Sequence, residues 1–331
     1  VKAFVVDGAD AAVREWPEPV VGPGEVLVRP LRVGLCGTDL ELIDATIDPT
    51  YVRYPLVLGH EWVGRLDGDV AGVAPAGTVV VVEGVVPDGT CAACVRGESN
   101  LCAVYDEIGF TRPGALAEAL SVPSFLVHPL ERTVELEDAV LVEPMAVVWR
   151  ALTRVPLRPG LRVAVVGDGT VALLAAHLVQ LFEPADTTLI GRRDEQASLA
   201  LAAGAKEFVT SSSDSFDLVI EAAGSADAVE AALGHCARGG MVILLGLPPH
   251  GTTVTFAPDD LVNNDQIVQG SFSYTRRAFA EVVERLNRGA LRPGFLVTHR
   301  FALADAHAAV ATLRGGASHE PRGKVIVDLE R

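Results

Sequence analysis

Residues 162–182 read RVAVVGDGTVALLAAHLVQLF. A β-branched run of strand length meets two glycines and then an apolar stretch of helical length, which predicts strand, tight turn and helix. Gly167 permits the turn, and Gly169 lets a backbone come close to a bound phosphate. Thr170 and Val171 open the helix, whose first N–H groups form an electropositive seat for such a phosphate. Ala172 permits close packing of helix on strand. The pattern G-x-G-x-x-A carries weight because of this frame, and it points to a dinucleotide.

Outward from this stretch the same rhythm repeats. TTLIG, EQASLALAAGA, DLVIEAAG, ADAVEAALGHCA, GGMVILLG and IVQGSFS alternate apolar strands with amphipathic helices. That alternation predicts an α/β fold with a Rossmann-type doubly wound parallel sheet. The second strand also bears on which dinucleotide binds. An NAD site carries a carboxylate at its end for the ribose 2′-hydroxyl. This chain has Gly191 there, followed by Arg192 and Arg193. Two guanidinium groups without a carboxylate suit a 2′-phosphate, so NADP is expected to be preferred, with NAD possible.

Upstream the pattern changes. KAFVV, EVLVRPLRVG, LVLGHEWVGRL, GTVVVVEG and FLVHPL are short strands punctuated by glycine and proline, predicting a mainly β, barrel-like region over residues 1 to about 148. With 331 residues, about half of them apolar, the chain has material for two cores. The apolar runs fall short of the ~20 residues of a membrane span. A net charge of −16 argues against nucleic acid and anionic membranes as partners. Nothing suggests secretion, so a cytoplasmic protein is expected.

Five cysteines are present, three of them (Cys91, Cys94 and Cys102) within twelve residues. Clustered cysteines in a non-secreted chain suggest metal ligands. Cys36-Gly37-Thr38-Asp39 and Gly59-His60-Glu61 lie further upstream, and the stretch LVEPMAVVWRAL places Glu143 at the start of an apolar helix. Taken singly, each has an ordinary explanation: core cysteine, satisfied histidine, capping glutamate. The combination is harder to dismiss.

With these motifs in hand, the chain resembles the zinc-containing medium-chain alcohol dehydrogenases over nearly its whole length, from Lys2 to GKVIVD. It is closest to the polyol and sugar branch and its NADP-accepting glucose dehydrogenases. The resemblance implies a GroES-like catalytic domain over 1–148 and 275–331, and a dinucleotide domain over 149–274. It implies a catalytic zinc held by Cys36, His60 and Glu143, with Glu61 ligating directly or alternating with water. One thiolate, one carboxylate and a neutral imidazole cancel Zn²⁺, so only one carboxylate is expected to bind tightly at a time. A second, structural zinc is implied at Asp88, Cys91, Cys94 and Cys102. Asp88 stands where the family has a first cysteine, a departure that leaves a weakened site or a disulfide as alternatives. Cys236 is left as a core residue.

The implied chemistry is hydride transfer between a hydroxylated carbon and the nicotinamide. Zinc acts as the Lewis acid, and Thr38 passes on the proton. Glu41 stands where many relatives carry a relay histidine. Glu118, within GALAEAL, is a candidate sugar contact, and Asn263 and Ser273 are looser ones. The expected substrate is a small polyhydroxylated molecule. A cyclitol or aminocyclitol dehydrogenase is the alternative within the class, and a catalytically silent dinucleotide-binding protein the alternative outside it. The resemblance further implies a homodimer or homotetramer, paired through the strands VILLGL and IVQGSFS.

Overall fold

The computed structural model describes residues 1–8, 10–315 and 319–330. Two compact units emerge: Val1–Glu143 with Thr275–Ser318 and Lys324–Arg331, and Pro144–Tyr274 with His319–Gly323.

The first unit is built around one long strand, Glu25–Leu35. Lys324–Asp328 and Glu61–Leu66 flank it, both antiparallel, while Leu120–Pro123 pairs with its first half. Val79–Val82, Val127–Pro129 and Val297–Ala302 complete the sheet. Val26 and Val28, and beyond the register shift at Pro30–Arg32 also Val33 and Leu35, enter a core shared with Leu58, Trp62, Ile108 and Leu116. Each such fully buried aliphatic side chain contributes roughly 1.5–3 kcal/mol. A smaller sheet joins Asp10–Glu15, Lys2–Asp7 and Leu56–Val57.

The register of the large sheet matters for function. Gly34 lies opposite Glu61 on one side and Ile326 on the other, with Leu35 opposite Val325. Glu61 and Lys324, each the first residue of its strand, therefore flank the same glycine. A Cβ on Gly34 would come within 2.6 Å of Glu61 Oε2 and 3.2 Å of Lys324 Cδ. The missing side chain is what lets the two charged groups meet.

The second unit is a six-stranded, all-parallel sheet in the order Glu207–Val209, Asp186–Ile190, Arg162–Val166, Phe216–Glu221, Cys236–Leu244, Ile267–Gly270. This is the doubly wound order with its switch point beside Arg162–Val166. The α/β class and Rossmann-type sheet expected from the sequence are what the structure has. Helix Thr170–Val179 follows strand Arg162–Val166 across the Gly167–Gly169 turn and buries Ala172, Leu173 and Leu174. Helix Ala226–Gly234 starts where Ser225 Oγ accepts the N–H of Ala228. The last strand is an open edge, with Ile267 and Val268 exposed. Among the described residues no helix is long and apolar enough to cross a membrane.

Candidate metal centre and cofactor turn

Helix Gly37–Ile43 begins immediately after Cys36, which occupies its N-cap. Asp39, fully buried, accepts the Cys36 N–H through Oδ2 at 2.8 Å. Its other oxygen lies 3.5 Å from His60 Nδ1. One carboxylate thus fixes both the cysteine backbone and the imidazole, leaving the second ring nitrogen for a ligand. Burial alone would lower the His60 pKa, but the Asp39 carboxylate overrides it and holds the ring well above 6.5. His60 is placed by Gly59, at φ +102°, where a Cβ would strike Val33 at 2.8 Å and the Leu116 nitrogen at 2.9 Å. Phe110 packs against the ring at 5.2 Å.

The structure brings a donor atom from each of Cys36, His60 and Glu61 within 4.8 Å of one another. Thiol, imidazole and carboxylate form a donor set suited to zinc. Asp39 Oδ1 and His60 Nδ1, both buried, face each other at 3.5 Å, which leaves Nε2 as the ring nitrogen free to ligate. The residues present fit the metal. Thr38 Oγ1 lies 3.7 Å from the Cys36 sulfur. Glu143 is not gathered into the same tight group but shares its field. Loss of water and the negative charge of Glu61 push its carboxyl up to about 8, with His60 and Lys324 opposing.

Two neighbours carry no local sequence signal. Lys324 forms a buried ion pair with Glu61 and donates to the Leu35 carbonyl at 3.1 Å. Burial would lower its pKa, yet the Glu61 charge raises it above the ordinary value. Glu107 accepts from Tyr105 Oη, and burial raises its carboxyl. The charge of His60 acts on Glu107, and that of Glu107 acts on Glu143. Glu118 is placed elsewhere: it is exposed, and its carboxylate takes the Lys2 N–H at 2.8 Å. Asn263 and Ser273 lie in the second unit, Asn263 closing the short helix Pro258–Asn263.

A second group joins Asp88, Cys91, Cys94 and Cys102, again with ligand atoms within 4.8 Å of one another. All five cysteines are unpaired in this structure. Asp88 Oδ1 accepts the N–H groups of Thr90 and Cys91, and these bonds, Cys91 first, hold its carboxyl down to about 2. Cys102 and Cys91 accept the N–H groups of Asp88 and Ala103. Burial and the neighbouring Cys91 thiol push Cys94 up to about 12. Clustered sulfurs already accepting backbone N–H groups fit a thiolate-bound zinc as well.

In the second unit Gly167 takes φ +130°, and a Cβ there would sit 3.0 Å from the Ala222 carbonyl carbon. The buried Glu221 holds that neighbouring loop by accepting from Ala223 and Gly224 N–H at 2.8 and 2.7 Å. Asp168, between the two glycines, accepts the N–H groups of Arg192 and Arg193 through Oδ2. Its Oδ1 takes the Arg193 guanidinium at 2.8 and 3.2 Å. Burial would raise the Asp168 carboxyl, but these bonds hold it below its usual range. Arg193 is therefore committed to Asp168, while Arg192 is exposed. A Cβ on Gly191 would meet the Phe208 ring at 2.6 Å and Asp168 Cβ at 2.8 Å.

Comparison with known proteins agrees with this construction. The alcohol dehydrogenase GroES-like domain matches residues 22–132, and the glucose dehydrogenase C-terminus matches residues 136–315. An L-threonine 3-dehydrogenase of Streptomyces coelicolor is 29% identical over 99% of both chains. A sorbitol dehydrogenase of Bacillus subtilis is 28% identical over 92% of this chain and 90% of its own. A zinc-binding dehydrogenase of Sinorhizobium meliloti, solved with NADP, superposes at TM-score 0.91 with 26% identity, covering 99% of each chain. The chain belongs to the zinc-dependent medium-chain alcohol and polyol dehydrogenases, and is an oxidoreductase of that family.

Proposed function

We propose that the protein transfers a hydride between a secondary or hemiacetal hydroxyl of a sugar or polyol and NADP(H), in the manner of a glucose dehydrogenase. The observation that carries this reading is the gathering of Cys36, His60 and Glu61, with Glu61 neutralised by Lys324. Charge then decides the ligands. With Glu61 paired to a lysine, the Cys36 thiolate and the Glu143 carboxylate balance a dication, and His60 completes the set. Zinc bound there supplies Lewis acidity to the substrate hydroxyl. The chain's own residues do the rest. Asp39 orients the imidazole, Thr38 beside Cys36 takes the hydroxyl proton, and Glu107 offers a half-buried acceptor to a substrate hydroxyl. Asp88, Cys91, Cys94 and Cys102 hold a second, structural zinc.

NADP is favoured because Gly191 has no room for the carboxylate of an NAD site, and because Arg192 and Arg193 follow it. Gly167, Gly169, Thr170 and Val171 receive the pyrophosphate. The NADP-bound structural relative supports the same choice. The open edge Ile267–Gly270 suits pairing with a second copy of the chain, as a homodimer or homotetramer.

A second reading, a cyclitol or aminocyclitol substrate, draws on Glu143, which feels the negative charges of Glu61 and Glu107 in a setting that would favour an amino group. One panel tests both: aldoses, polyols, cyclitols and aminocyclitols, each with NADP and NAD, on zinc-loaded protein. Aldose turnover with NADP supports the first reading, and turnover confined to cyclitols replaces it with the second. Turnover confined to simple alcohols removes both.

A further inference from the structure

We infer that Glu221 is the positioning residue for the nicotinamide half of the cofactor: its carboxylate and its backbone carbonyl brace together the two loops on which that half rests. The inference rests on the dinucleotide reading of this unit and holds for NADP and NAD alike. In a doubly wound sheet the strands on one side of the switch point carry the adenosine mononucleotide, and those on the other side carry the second mononucleotide. Phe216–Glu221 and Cys236–Leu244 are the first two strands on that other side. Their ends lie level, with Glu221 opposite Val166 on one side and Leu244 on the other. The loops that leave these strand ends therefore open onto the crevice beside the Gly167 turn.

Glu221 is 0% exposed and closes its strand. Its Oε1 accepts the N–H groups of Ala223 and Gly224, in the first loop. Its backbone carbonyl accepts those of Leu245 and Gly246, in the second, at 2.9 and 3.0 Å. One residue thus receives two N–H groups from each loop. The loops then touch backbone to backbone. A Cβ on Gly246 would meet Gly224 Cα at 2.7 Å and Glu221 Oε2 at 2.8 Å, and one on Gly224, at φ +70°, would meet the Leu247 carbonyl oxygen at 2.9 Å. An apolar side chain of similar size would fill the same space without the desolvation that a carboxylate suffers. The carboxylate is therefore explained by the N–H groups it gathers. The braced loop carries Leu247, which is 71% exposed although apolar, a surface that a nicotinamide ring is suited to cover.

The test compares the whole dinucleotide with its adenosine half on the zinc-loaded protein. NADPH is titrated by nicotinamide fluorescence and 2′,5′-ADP by calorimetry, with NADH and 5′-AMP run alongside so that cofactor preference does not decide the outcome. Glu221→Leu keeps the bulk and removes the acceptor. It should weaken the dinucleotide about tenfold or more and leave the adenosine half unchanged. Glu221→Gln, which retains an oxygen at Oε1, should restore most of the loss. Gly246→Ala forces the loops apart with Glu221 intact and should reproduce the selective loss. Retained affinity for the adenosine half shows in the same samples that the unit is folded. Equal losses on both ligands in Glu221→Leu and Gly246→Ala, or no loss on either, would overturn the inference and leave the dinucleotide reading standing. A wild type that binds neither dinucleotide nor adenosine half would overturn both.

Discussion

Lys324 and Glu61 form an ion pair in which each side chain is only 2% exposed, meeting across the bare backbone of Gly34. Such a pair is costly to break from one side, because the survivor is left buried and uncompensated. Lys324→Met is expected to destabilise the protein by about 3–5 kcal/mol. It should also draw Glu61 toward the metal, changing the ligand set. Glu61→Gln combined with Lys324→Met should recover much of the stability. Denaturant unfolding of the two single variants and the double variant measures the coupling. Simple additivity would mean that the pair does not act as a unit.

Asp39 acts through His60 and Cys36. Asp39→Asn keeps the shape and one oxygen but removes the charge facing His60 Nδ1. Zinc affinity at this centre should fall about 10- to 100-fold, the usual cost of losing an outer partner of a histidine ligand. Competition against a chromogenic chelator reads this without turnover. An unchanged affinity would show that Asp39 serves only the helix cap.

The Asp88 group predicts a metal count. The wild type should carry two zinc ions per chain and Asp88→Ala one, with Asp88→Cys restoring the second through a fourth thiolate. Because Asp88 is exposed and its carboxyl is already held at about 2, the loss should not vary with pH across the neutral range. Elemental analysis after dialysis settles the count. A single zinc in the wild type would mark this lobe as metal-free.

The parts of this architecture that the sequence makes legible are those built from neighbouring residues. The turn at Gly167 and Gly169 is written into six consecutive positions, and Cys36 with Asp39 lies within one helical turn. The residues that escape a linear reading are those whose partner comes from another strand. Lys324 looks like any basic residue before a final strand, and only the antiparallel register across Gly34 gives it Glu61. Glu107 and Glu118 belong to one stretch with similar composition, yet one sits in the field of His60 and the other is exposed on the Lys2 N–H. Gln196 likewise meets the Arg322 backbone only when the chain returns to the second unit. Alternation and motif report local conformation, whereas long-range register is a property of the folded sheet.

The same distinction makes the last prediction run against the simple rule. Placing a carboxylate at the end of the second strand is the usual route from NADP to NAD. Here a Cβ on Gly191 would meet Phe208 at 2.6 Å and Asp168 Cβ at 2.8 Å, both inside the contact limit. Gly191→Asp would also set a second carboxylate beside one already held by Arg193. The variant is expected to lose about 1–3 kcal/mol of stability from overpacking and to bind both dinucleotides more weakly, without gaining NAD affinity. Gly191→Asp combined with Phe208→Ala relieves the ring contact and should recover binding of NAD before that of NADP. Affinities of all variants for NADH and NADPH, read by nicotinamide fluorescence, decide the matter. A gain of NAD affinity in the single variant would mean that the strand end yields more readily than its packing implies, and that glycine is there for charge rather than for space.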